Sequence, residues 1–154
     1  MSKLGQKYLK PTKVGKAGAR QATQVAAVCT RKKHGKREVL LITSRGTRRW
    51  VIPKGWQMNG LSDSQAATIE AWEEAGVSAA QVNKTPIGKY EYEKDLNKGG
   101  QLPVNVLVFR LKVEEMKKKF PEYRERKLMW TSPKKAAKLV REPGLKKILN
   151  ALHK

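Results

Sequence analysis

The order of elements legible in the sequence predicts an α+β fold, with strands gathered into one sheet and helices set against it. Three observations carry this. Short apolar runs bounded by turn residues mark several strands. Ser62 and Gln65 stand three apart, as in a capping box, ahead of a segment that stops at Gly76. Ser132-Pro133 supplies an N-cap followed by proline at the first helical position. With 154 residues, 39% of them hydrophobic, the chain suits one domain with a real core, which argues against a disordered polycation and a multidomain assembly.

Residues 1–20 hold Lys3, Lys7, Lys10, Lys13, Lys16 and Arg20, several glycines and no acid. They read as a solvated, flexible basic arm, or more sharply as an arm that meets an anion or organelle import machinery. Residues 21–154 are expected to form the single domain. Val25, Ala27 and Cys29 alternate with Gln24, Ala26 and Val28, and after Lys32-Lys33-His34-Gly35 the run from Glu38 to Thr43 follows, giving a hairpin. A third short strand covers Trp50 to Ile52, ended by Pro53 and Gly55. The capping box starts a helix over Asp63 to Ala75. Two strands, Ile87 to Glu93 and Leu102 to Leu111, flank the turn residues Asn97-Lys98-Gly99-Gly100. Lys127 to Thr131 adds a strand, Ala136, Ala137, Leu139 and Val140 a helix, and beyond Pro143 the residues Leu145, Ile148, Leu149 and Leu152 a last amphipathic turn or two.

The chain carries 34 Lys and Arg against 13 Asp and Glu, a net charge of +21. Such a charge steers in anions, whether non-specific nucleic acid, a membrane surface or a polyphosphorylated small molecule, and charge alone does not choose among them. No stretch approaches the roughly 18 apolar residues of a membrane span, and the start MSKLGQKYLK lacks a signal-type apolar run. The single Cys29 allows no internal disulfide and falls among apolar residues, so a buried thiol in a reducing, cytoplasmic setting is expected. Nothing in the sequence fixes the oligomeric state.

Within this excess of bases, Glu70, Glu73 and Glu74 fall within little more than one helical turn. On a helix they span an arc of about 100°, a single carboxylate patch. Like charges at this spacing cost roughly 0.2–0.5 kcal/mol each, and acids in a last turn oppose the helix dipole by about 0.3–1 kcal/mol. Local stability would not choose this arrangement. A hard divalent cation reverses those signs, since Mg²⁺ accepts carboxylate oxygens from one face and completes its shell with substrate phosphates.

The stretch from Gly55 through Glu70, Glu73, Glu74 and Gly76 to Val77 resembles the Nudix box: Gly, five residues, Glu, seven residues, Arg-Glu, an aliphatic residue, any residue, Glu-Glu, any residue, Gly and an aliphatic residue. Two positions depart from it. Leu61 stands where the first Glu belongs and Ile69 where the Arg belongs. In the family that Arg and Glu join the ionic network that orients the metal-binding carboxylates. Losing one alone would strand the other charge at about 3–5 kcal/mol if buried. Replacing both avoids that cost, and the two aliphatic residues are expected to pack on one another or nearby, leaving the ligands held by packing. Within the family the chain is most similar in appearance to the diphosphoinositol polyphosphate phosphohydrolases, through Glu38 to Ser44, Arg48 to Gly55, and Arg124 to Ala137.

The resemblance implies a mixed sheet sandwiched between helices (α/β/α) and hydrolysis of a phosphoanhydride by water with Mg²⁺ or Mn²⁺. Glu70 and Glu74 would be the main metal ligands, the Gly55 carbonyl an additional one, and Glu73 a further ligand or the group that orients water. Glu122 and Glu125 are candidates for the base. Arg45, Arg48, Arg49, Lys54, Arg124 and Arg126 are candidate substrate-binding groups, since basic side chains, and arginine's fork above all, suit phosphates. Expected substrates are diphosphoinositol or diadenosine polyphosphates. Nucleotides or RNA 5′ ends are an alternative, and a nucleic-acid-binding protein on an inactive Nudix scaffold is another. His34 and His153 suggest no triad or zinc site. Trp72 should face away from the metals, while Trp56 could stack on an adenine.

Overall fold

Strand formation starts from a tight hairpin. A computed structural model of the chain describes residues 13–14 and 20–153, so most of the expected basic arm lies outside the described residues. Lys13–Val14 (β1) pairs with Arg20–Gln21 (β2). Thr23–Lys33 (β3) then turns through His34 and Gly35, both at positive φ (52° and 77°), into Lys36–Thr43 (β4), with Lys33 opposite Lys36. Positive φ at both central residues matches the right-handed twist of the strands, which explains the His-Gly pair.

The hairpin is zipped only from Thr30 to Lys33. Nearer its open end Lys54–Trp56 (β6), which follows the two-residue Trp50–Val51 (β5), takes the place beside β3, with Val25 opposite Gly55. The hydrogen bond from Ala27 N to Pro53 O (3.0 Å) continues that seam. Splaying the hairpin is what brings Gly55 into the middle of the sheet.

Helix α1 covers Asp63–Ala75, as the caps predict. Gln65 N donates to Ser62 Oγ (3.2 Å) and Ser62 N to Gln65 Oε1 (2.8 Å), and Gly76 closes the helix at φ 80°. The chain then enters Val77–Val82 (β7) with no loop, followed by Gly88–Asp95 (β8) and Gln101–Met116 (β9). Leu128–Thr131 (β10), Pro133–Leu139 (α2) and Pro143–Asn150 (α3) complete the fold, with a 3₁₀ turn at Ala151–His153.

The main sheet runs β10-β4-β3-β9-β7, with β5 on β4, β6 on β3 and β8 on β9. Its central pair, β3 with β9, is parallel from Thr23/Asn105 to Thr30/Lys112, whereas the other pairings in it are antiparallel. Burial follows this placement. On one face Ala26, Val28, Val106 and Val108 meet Ala136, Ala137, Leu145 and Leu149 of α2 and α3; on the other Val25, Ala27, Cys29, Phe109 and Leu111 meet Ala66, Ala67, Ala71 and Ala75 of α1. Since helices cover both faces, β3 is buried throughout its centre rather than alternating with solvent. The fold is the expected α/β/α sandwich. Cys29 is fully buried and its thiol is pushed up to about 12 by burial. Among the described residues no helix is long and apolar enough to cross a membrane.

Candidate active site

Alanines on the sheet-facing side of α1 let the helix lie close to β6, and this carries Glu70 against Gly55. Glu70 is 2% exposed, Glu73 7% and Glu74 8%, so all three acids of the sequence cluster are buried. A Cβ at Gly55 would overlap the Glu70 carboxyl group, so any other residue there must displace that side chain. The Glu74 side chain hydrogen-bonds that of Glu70, and Glu74 Oε1 also accepts from the Lys54 backbone N–H at 3.3 Å. Burial is the main influence on the Glu74 carboxyl and pushes its pKa above the ordinary value, partly opposed by its Glu70 hydrogen bond and the nearby Arg126 charge.

Arg126 is the group that secures this arrangement from the far side. Its side chain is 7% exposed, forks onto Glu122 Oε1 (2.9 and 2.7 Å), donates to Thr43 O (2.9 Å) and lies 3.6 Å from Glu74 Oε1. Glu122 N in turn donates to Glu73 O (3.0 Å), tying the loop before β10 to the end of α1. Leu61 and Ile69 line one apolar groove with Ser64, Gln65, Thr68, Val82 and Lys84, and Ile69 also packs against the core beneath α1. Glu74 has polar partners beyond packing, in Arg126 and the Lys54 backbone, which adds to the expectation drawn from the paired Leu and Ile.

The remaining candidates divide into two groups. Lys54 and Arg49 line a cleft of about 620 Å³ with Tyr92, Glu91, Glu93, Lys94, Asp95, Arg141 and Glu142. Arg49 Nη2 is 2.7 Å from Glu142 Oε2, and Lys54 Nζ lies 5.3 Å from the centre of the Tyr92 ring. Burial lowers the Lys54 pKa, against the raising influence of Glu74 and Glu142. Arg45 and Arg48 sit on the exposed loop between β4 and β5, where Arg45 bonds Glu125 (3.1 Å). Arg124 is exposed and bonds its neighbour Tyr123.

Glu142 and Tyr92 were not among the sequence candidates. Each lies in a segment that read as structural: Tyr92 mid-strand, Glu142 ahead of a helix-starting proline. The one available signal was an isolated acid, Glu142, between Arg141 and a basic C-terminal segment.

Among the described residues no three His, Cys, Asp or Glu side chains form a ready metal cage. Mg²⁺ asks for less, since one or two carboxylates plus substrate phosphates commonly hold it. Glu70 and Glu74, buried close together beside the Gly55 backbone, with Glu70 Oε2 lacking a hydrogen-bond partner, make a donor set of that kind. The residues present fit a hard divalent cation.

A family model described as the NUDIX domain matches residues 20–152. The chain belongs to the Nudix family. It is 32% identical over 120 residues to Nudix hydrolase 12, mitochondrial, of Arabidopsis thaliana, across 74% of this chain and 57% of that relative. The chain thus spans little more than half of the relative's length. Among solved structures it is similar to a C. elegans Ap4A hydrolase binary complex, with a TM-score of 0.63, 21% identity, and coverage of 84% of this chain and 93% of that one. It is also similar to the Nudix domain of Shewanella oneidensis NrtR complexed with ADP ribose, with a TM-score of 0.61, 15% identity, and coverage of 88% and 89%. At these identities the structural neighbours establish the fold. They do not single out the diphosphoinositol polyphosphate subgroup.

Proposed function

We propose that this Nudix domain hydrolyses the phosphoanhydride linkage of a polyphosphate that also carries a nucleoside, with a dinucleoside polyphosphate as the leading substrate. The observation that supports the reaction is the buried Glu70–Glu74 pair beside Gly55, next to a cleft open enough for a nucleotide. Glu70, Glu74 and the Gly55 carbonyl would hold Mg²⁺ or Mn²⁺, which when bound polarises phosphoryl oxygens and lowers the pKa of water. Lys54 joins the two parts of the site: its backbone N–H orients Glu74 while its side chain lies in the cleft and would neutralise substrate phosphate. Arg49, fixed by Glu142, would present its guanidinium to the same phosphates.

Cleft charge supports a nucleoside over an inositol ring. Arg49, Lys54, Lys94 and Arg141 are matched there by Glu91, Glu93, Asp95 and Glu142, an even balance in a chain of net charge +21. A ring phosphorylated at every position would place phosphates against those acids. A nucleoside presents hydroxyl and amino donors instead, and Tyr92 offers an aromatic surface.

The test is a panel of diadenosine tetraphosphate, a diphosphoinositol polyphosphate, nucleoside triphosphates and 5′-triphosphorylated RNA, with Mg²⁺ or Mn²⁺ and scored by product. Diadenosine tetraphosphate should be cleaved, and Glu74→Gln should lower kcat/KM by about 100-fold or more. Preference for the diphosphoinositol compound would overturn the nucleoside reading alone. Absence of turnover on every member, with nanomolar and steeply salt-dependent RNA binding, would replace it with an RNA-binding role on an inactive scaffold.

A further inference from the structure

One concave basic surface of the described domain lies away from the proposed metal-binding carboxylates. On the sheet face covered by α2 and α3, the rows Val39/Leu41, Ala26/Val28 and Val106/Val108 form the core floor. Because side chains alternate with a period of two, the same rows continue past the helices as Arg37 on β4, Thr30 and Lys32 on β3, and Arg110 and Lys112 on β9. These residues line a cavity of about 490 Å³ together with Arg31 and Val113, and none of its lining residues is acidic. Arg37 Nη1 donates to Leu152 O (2.6 Å), so the cavity begins where the last helical turn ends.

Sheet stability does not favour this grouping. Lys32 and Arg37 are direct cross-strand partners, and like charges directly opposite are destabilising. Arg110 donates to Thr30 Oγ1 (3.3 Å), and burial, then the charge of Arg37, hold its guanidinium below its ordinary value. Arg31 differs from the others: it is engaged by Glu38 (2.8 Å) and rests on the Trp130 ring (4.2 Å). The five steps along β3 from Val25, opposite Gly55, to Thr30 set the cavity roughly 17 Å from the active site.

We propose that this cavity is a second anion site, which binds a small, multiply charged phosphate compound through Lys32, Arg37, Arg110 and Lys112. Several cations converging on one concave floor suit adjacent phosphates. The lining holds no aromatic ring on which bases could stack, which favours a compact phosphate compound over single-stranded nucleic acid.

The experiment is a metal-free calorimetric titration of the full chain with inorganic tripolyphosphate, accompanied by the NMR signal of the Arg110 Nε–H. The signal should shift on binding. Lys32→Gln with Lys112→Gln, both at exposed positions, should weaken binding at least about tenfold. Lys134→Gln with Lys135→Gln on α2 removes the same charge elsewhere and should change it less than about threefold. Equal weakening by both pairs, or none by the first, would reduce the effect to net charge and overturn the site. Tighter binding of a single-stranded oligonucleotide through the same residues would overturn the small-anion assignment.

Discussion

Replacing Arg126 by methionine tests how the proposed metal-binding carboxylates are held. Methionine keeps much of the stem volume and removes the two bonds to Glu122, the bond to Thr43 O and the charge beside Glu74. Stranding a fully buried charge costs about 3–5 kcal/mol. Glu122 is 20% exposed and can turn toward water, so the lower end, about 3 kcal/mol, applies. For a domain of this size that is a fall of about 10 °C in Tm by circular dichroism. Arg126→Lys should recover part of it, because an ammonium cannot fork across Glu122 and Thr43 together. Kinetics separate the two roles open to this residue. A group that binds substrate raises KM when lost; one that positions Glu74 lowers kcat and raises the Mg²⁺ concentration needed for half activity. The second pattern is expected. A variant that melts within about 2 °C of the parent and differs only in KM would refute the positioning role.

Two further outcomes follow from the site. Gly55→Ala forces a methyl group onto the Glu70 carboxyl, and the displaced ligand should cost about 100-fold in kcat/KM, measured beside a melting curve that shows the fold is retained. Burial of Glu142 is outweighed by its hydrogen bonds to Arg49 and its own backbone and by the charges of Arg49 and Lys54, so its pKa lies below the ordinary 4.5. A depressed carboxylate contributes stability that is fully present above the unfolded value and lost as pH falls through the folded one. Melting curves taken downward from about pH 5 should therefore fall more steeply for the parent than for Glu142→Gln, and parallel curves would show that the Arg49 pair contributes nothing.

Much of the framework was legible because it is local. The Ser62–Gln65 box and Gly76 gave the bounds of α1, and the His34-Gly35 turn gave the hairpin, since each signal lies within a few residues of what it controls. Strand β7 was missed: Val77–Val82 starts directly after the helix cap, contains two adjacent alanines and pairs with β9 through irregular register, so neither a turn nor alternation announces it. The parallel pairing of β3 with β9 has no local signature either. At the site, the spacing of Glu70, Glu73 and Glu74 marked the helix that buries all three acids. What spacing could not give was which oxygens meet. That depends on Arg126 arriving from the loop before β10, and on Glu142 reaching Arg49 from 93 residues away.

The splayed hairpin has a consequence for the order in which the chain assembles. The turn at His34-Gly35, strand β6 beside β3 and helix α1 all come from the first half of the sequence, so Gly55 can meet Glu70 before the second half is in place. The other edge of β3 must wait for β9; Thr30 and Arg110, which meet across that seam, are 80 residues apart. Until then an apolar strand edge stands open, which is the setting for slow closure and mispairing. The joining of β9 to β3 is thus the long-range closure of this sheet, and the edge it covers is the one most open to mispairing while the second half of the chain is being made.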